Sequence, residues 1–120
     1  MDENIVSKLE GCKDLSDIDL SGSDLSGANL SGINISDANF SGANLSGVDF
    51  SGSKFYDVNF QGANLSGADF SGSTFSDANF QGAVFSGSDI SGSSFSDVDF
   101  MGANFSNANL SGSNISDNND

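Results

Sequence analysis

The sequence predicts an all-β solenoid, a parallel β-helix wound in four-sided coils of 20 residues, and three regularities predict it. Every fifth residue from Leu15 to Ile115 is Leu, Ile or Phe, without exception in 21 positions. A period of five is neither a strand's two nor a helix's 3.6, so the chain repeats as a coil. Two residues before each of these centres stands Ala, Ser, Val or Ile, Lys13 excepted, and all fourteen glycines after Gly11 fall two residues after a centre.

Each position of the repeat has its own reason. In an extended segment, residues two apart point to the same side, so the small residue joins the centre inside the coil and the residue between them faces out. That outer residue is Asn or Asp in most repeats, which suits a solvated side chain able to bond nearby backbone. The glycine position is a corner requiring positive φ, which Gly enters freely and Asn or Asp at modest cost. Asp replaces the glycine at Asp17, Asp37, Asp57, Asp77, Asp97 and Asp117, a strict spacing of 20, and Asn107 is the other exception. Four pentapeptides per turn explain that spacing, and stacking at roughly 4.8 Å per coil makes about five coils a short, stiff rod.

Runs such as Ala28-Asn29-Leu30-Ser31-Gly32 and Ala63-Asn64-Leu65-Ser66-Gly67 resemble the pentapeptide-repeat family over about residues 13 to 117. The resemblance implies a right-handed quadrilateral β-helix with centre and small residue inside. With a 20-residue coil, Leu20, Phe40, Phe60, Phe80 and Phe100 form one interior ladder. Leu15, Ile35, Phe55, Phe75, Phe95 and Ile115 form another. All eleven phenylalanines are centres, so the core accounts for every one.

Composition by itself points the other way, because a chain rich in Ser, Gly, Asn and Asp with net charge −14 has the signature of an acidic disordered linker. The period overrules it, since stacked repeats bury a core that no single repeat can make. The chain divides into a cap over 1–12, a repeat rod over 13–117 and a polar tail over 118–120. In the cap, Ile5 and Leu9 lie four apart, acidic residues lead and Gly11 closes, which predicts a short amphipathic helix. The tail is too short to cover Phe105, Leu110 and Ile115. Either that end stays partly open or a second subunit covers it, and the resemblance implies a homodimer through the C-terminal end.

The acidic N-terminus and the absence of a long apolar run argue against a leader or membrane span, so the expectation is a soluble, cytoplasmic protein. Cys12 stands alone, which rules out an internal disulfide or cysteine metal site and leaves burial beside the cap as its expected role. With no His, and serines lacking any base to activate them, an enzyme is not expected. No motif calls for a cofactor. Three lysines without arginine cannot neutralise a nucleic-acid backbone. Ice binding, which favours threonine rows, is not expected of a chain whose only threonine is Thr74.

Function must then lie on the surface. Besides the corner row, Asp49, Asp69 and Asp89 precede the centres of another side, again 20 apart. Like charges at that spacing repel by roughly 1 kcal/mol per pair in water, which predicts raised pKa values or captured cations along the rows. Tyr56, Gln61, Gln81 and Met101 replace the serine after the centre and predict a stripe of larger side chains to which a protein partner could dock. The expected function is that of a non-enzymatic acidic protein-binding or structural rod. The resemblance adds an alternative, mimicry of DNA toward DNA gyrase or topoisomerase with fluoroquinolone protection; cation binding by the Asp rows is a second.

Overall fold

The computed structural model describes residues 9–12 and 14–114 of the 120-residue chain. It is a parallel β-solenoid. Five three-residue strands, β1 (Asp14–Ser16), β2 (Asn34–Ser36), β3 (Lys54–Tyr56), β4 (Thr74–Ser76) and β5 (Ser94–Ser96), form one parallel sheet in chain order. Each strand pairs with the next at an offset of 20 residues, as in Phe55↔Phe75. The same offset recurs in isolated parallel bridges between successive coils, for example Asn39↔Asn59, Asn44↔Asn64 and Asp49↔Asp69.

The coils are joined by backbone hydrogen bonds in both directions. Phe60 N–H donates to Asn79 O of the following coil at 2.7 Å, while Asn59 N–H donates to Ala38 O of the preceding one at 3.0 Å. Corners carry positive φ as expected: Gly62 stands at 68°, and a Cβ there would meet nothing within 4 Å. The requirement for glycine at that corner is therefore conformational, not spatial. Ala63 N–H closes the corner onto Phe60 O at 3.0 Å. On the side that carries the strands, Asp17, Asp37, Asp57, Asp77 and Asp97 hold φ between 54° and 57°, and Asn107 holds 60° on another side. Asp and Asn are the non-glycine residues that enter this region at least cost.

Inside, centres and small residues form one continuous core. Phe40, Phe60, Phe80 and Phe100 stack with centroids 4.8–5.6 Å apart and ring planes within 7°, and Phe55, Phe75 and Phe95 stack at 4.6 and 4.8 Å. Neighbouring ladders meet edge to face, as Phe55 and Phe60 do at 5.5 Å and 68°. Both arrangements suit the ring quadrupole, and the coil spacing holds the stacks near van der Waals contact. The expected ladders are present, except that Ile115 lies outside the described residues.

One interior column is polar. Ser53, Ser73 and Ser93 are buried, and their hydroxyls donate to Leu30 O, Phe50 O and Phe70 O of the preceding coil at 3.1, 2.8 and 2.6 Å. Ser53 Oγ also accepts from Ile33 N–H at 3.1 Å, and Ser73 Oγ from Ser53 N–H at 3.3 Å. These hydroxyls join coils where an alanine would only fill space. Burial is thus compatible with their polarity.

The two ends differ. At the start, Leu9 is buried at 4% exposure and belongs to the core, and Leu20, Leu25 and Leu30 are buried as well. The helix expected over 1–12 lies largely outside the described residues, as do Lys13, Asp117 and the tail over 118–120. Cys12 is half-buried rather than buried, because it lies beyond Leu9 on the way to the first strand. In the last described coil Phe105 is only half-buried and Leu110 is exposed.

Two outcomes follow. Phe60→Ala, which removes the middle of a stack, will lower the unfolding free energy by about 3–5 kcal/mol in urea titration; a loss under about 1 kcal/mol would mean that the stacks contribute little. Ser73→Ala will cost about 1 kcal/mol, the net worth of an intramolecular hydrogen bond, at nearly constant volume.

Candidate functional site

The outer surface presents three sets of side chains on this frame. The corner carboxylates Asp17, Asp37, Asp57, Asp77 and Asp97 are all exposed, each on the coil after its predecessor. Their backbone N–H groups hold the coils together, Asp37 donating to Tyr56 O at 2.9 Å and Asp57 to Ser76 O at 3.0 Å. The backbone at these corners is therefore committed to the fold while the carboxylates are free to face solvent.

Asp49, Asp69 and Asp89 form a second row, half-buried and paired Cα to Cα through the bridges Asp49↔Asp69 and Asp69↔Asp89. Each carboxylate is tied to the serine two residues on. Asp69 Oδ1 accepts from Ser71 N–H at 2.9 Å and from Ser71 Oγ at 2.7 Å, and Asp49 and Asp89 do the same with Ser51 and Ser91. These bonds close a local turn of the kind Asx side chains favour. Asparagine makes the same closure: Asn64 Oδ1 accepts from Ser66 N–H at 3.1 Å and Ser66 Oγ at 2.7 Å. The turn needs an oxygen and does not need a charge.

The expectation of raised pKa values fails at Asp89. Its pKa is lowered from the ordinary aspartate value, chiefly by the Ser91 hydroxyl and then by the Ser91 N–H, and burial opposes this only weakly. Asp19 and Asp24 are lowered in the same way by Ser21 and Ser26. A donor at 2.7 Å outweighs a like charge one coil away, which water screens. At Asp19, Asp24 and Asp89 the shift also bears on catalysis. A carboxylate that holds its charge below the usual range is too weak a base to take a serine proton near neutral pH.

Tyr56 and Met101 are exposed at 43% and 53%, Gln61 is exposed and Gln81 half-buried. Gln61, Gln81 and Met101 follow one another on successive coils, since Gly62 N–H donates to Gln81 O at 2.8 Å and Gly82 N–H to Met101 O at 2.9 Å. Tyr56 stands at the end of β3, next to corner Asp57. Gln81 Nε2 donates to Asp99 Oδ2 at 2.8 Å, a link between coils that brings in a carboxylate absent from the expected rows. Glu10 is likewise new: its Oε2 accepts from Asn29 N–H at 3.0 Å. Its position outside the repeat gave no periodic signal for that role. Asp117 lies outside the described residues. Among the described residues, no group of three or more His, Cys, Asp or Glu side chains is placed to hold a metal ion, and no helix is long and apolar enough to cross a membrane.

The pKa shifts make a pH prediction. A carboxylate whose folded pKa is depressed adds stability that is present above its unfolded pKa, about 3.9, and is lost as pH falls through the folded value. The melting temperature will therefore fall more between pH 6 and pH 3 in the native chain than in Asp89→Asn, whose amide oxygen keeps the turn without titrating. Equal falls in calorimetric scans would show that the Ser91 bonds do not favour the charged form.

The sequence agrees with the family model described as pentapeptide repeats over residues 14–52, 53–92 and 78–117. Among solved structures, a pentapeptide repeat protein of Nostoc PCC 7120 is 26% identical, with 84% of this chain and 93% of that one covered and a TM-score of 0.60. A pentapeptide repeat protein of the thylakoid lumen of Arabidopsis thaliana is 29% identical over 84% of this chain, TM-score 0.53. The present chain spans 63% of that plant protein's length. A third, from the cyanobacterium Cyanothece 51142, shares the fold at 21% identity, with 93% of both chains covered and a TM-score of 0.56. No curated protein matches by sequence. The cytoplasmic location expected from the sequence is corrected by the plant relative, which belongs to an organelle's lumen, so this repeat pattern does not mark a cytoplasmic protein. The chain belongs to the pentapeptide-repeat family.

Proposed function

We propose that the chain is an acidic protein-binding rod: a right-handed, four-sided coil of about five turns, capped over 1–12, that presents its carboxylate rows to a basic surface of a partner. One observation carries the reading. Asn closes the outer turn as well as Asp does, at Asn64 as at Asp69, so the charge at Asp49, Asp69 and Asp89 is surplus to the fold. The corners Asp37, Asp57, Asp77 and Asp97 repeat it, because asparagine at Asn107 holds the same conformation without charge. A rigid rod keeps such charges at constant spacing, which reduces the ordering cost of meeting a charged partner. Tyr56 and Met101 supply the apolar contact that such an interface needs at its centre.

Charge density ranks this reading above mimicry of DNA. Coil 34–53 carries Asp37 and Asp49, coil 74–93 Asp77 and Asp89, and coil 94–113 Asp97 and Asp99, while Lys54 offsets one of Asp57 and Asp69 in coil 54–73. Two charges per rise of about 4.8 Å is one per roughly 2.4 Å, against about 1.7 Å for duplex DNA. The rod's middle is thus a diluted version of that field.

The test is affinity capture with the immobilised chain beside a variant carrying Asp57→Asn, Asp77→Asn and Asp97→Asn. We expect a partner held by the native chain, released by added salt and bound roughly tenfold more weakly by the variant. Equal binding by both proteins removes the corner carboxylate row from the interface. DNA gyrase among the captured proteins, with inhibition of its supercoiling by the native chain alone, would decide for mimicry.

A further inference from the structure

In every later coil the N–H that follows the third small residue is received by a backbone carbonyl of the preceding coil. Asp49, Asp69, Asp89 and Asn109 donate in turn to Ala28 O, Val48 O, Ala68 O and Ser88 O, each at 2.9 Å. Asn29 occupies the same place in the first coil, where its N–H goes instead to the Glu10 carboxylate at 3.0 Å. Glu10 Oε2 thus stands in for the carbonyl that a preceding coil would supply. Leu9 beside it is buried at 4% exposure and belongs to the core. The chain then turns toward β1, Cys12 N–H donating to Leu9 O at 3.0 Å.

We propose that Leu9 and Glu10 form a latch that keeps a second copy of this chain from adding to the first coil. The occupant it excludes is identified by register. Each coil offers the next the same pattern of donors, acceptors and apolar centres at a 20-residue offset, so coil 94–113 of one copy matches the first coil of another as it already matches coil 74–93. Among the described residues the complementary apolar surface is the less covered one: Leu110 is 36% exposed and Phe105 half-buried, against the buried Leu25 and Leu30 at the latched end. Such joining is head to tail. Its two faces differ, so it does not close on itself and builds a lengthening rod. Charge opposes it, because Asp14, Asp17, Asp19 and Asp24 crowd the first coil.

Two measurements test the latch in the full chain. Amide exchange at Asn29 will quicken roughly fivefold in Glu10→Ala and stay near the native rate in Glu10→Gln, whose amide oxygen still accepts. No difference between these two variants overturns the role of the carboxylate. A Leu9→Asp, Glu10→Ala chain that keeps its far-ultraviolet circular dichroism will show an open-ended, concentration-dependent series of oligomers in sedimentation velocity, promoted by salt and abolished by adding Leu110→Asp. A folded variant that stays monomeric, stops at a closed dimer, or assembles despite Leu110→Asp overturns the proposal. If the double variant does not fold, the exchange comparison decides.

Discussion

Everything in this molecule depends on the parallel pairing of each coil with the one 20 residues later. A parallel ladder normally requires a long crossover, usually a helix, to bring the chain back to the same edge. Here the crossover is the rest of the coil itself, and it pairs too. Because each corner must return the chain at one fixed rise, corner conformation, interior volume and outer turn are all subordinate to that pairing. The stacked rings follow from it: the coil spacing places one phenylalanine over the next at about the distance at which aromatic faces attract.

Most of this was legible in the sequence, for reasons of stereochemistry. A corner with φ near 60° admits few residue types, so Gly62 and Asp57 announced their positions, and the recurrence of Asp gave the coil length. The interior admits only residues that fill a narrow space, which is why Phe60 and Ala63 were assigned correctly. What stayed hidden depends on direction in space. Ser73 reads as a small filler, and only the fold shows its hydroxyl reaching the coil before it. Reading Asp89 along its row stressed a like charge a coil away and overlooked Ser91, two residues on and 2.7 Å distant. Glu10 carried no periodic signal, since its role depends on how the chain enters the rod.

Shape and charge are separable in this architecture. The backbone path is held by corners and coil-to-coil bonds, and the outer residue contributes an oxygen that amide and carboxylate provide equally. The surface can be recharged without disturbing the frame. This separation also explains why family membership, which follows from the frame, says little about the partner.

Near-identical coils create a hazard of their own, because a chain folding in from one end could mount a segment one coil too early and still satisfy most of its hydrogen bonds. The core composition works against that error. The first coil uses leucine at every centre, from Leu15 to Leu30, while one ring stack runs from Phe40 to Phe100 and another joins Phe50 to Phe70. A skipped coil would set a ring on a leucine in one ladder and leave another ring without its neighbour, so the placement of rings among aliphatic centres works as an address along an otherwise repetitive axis.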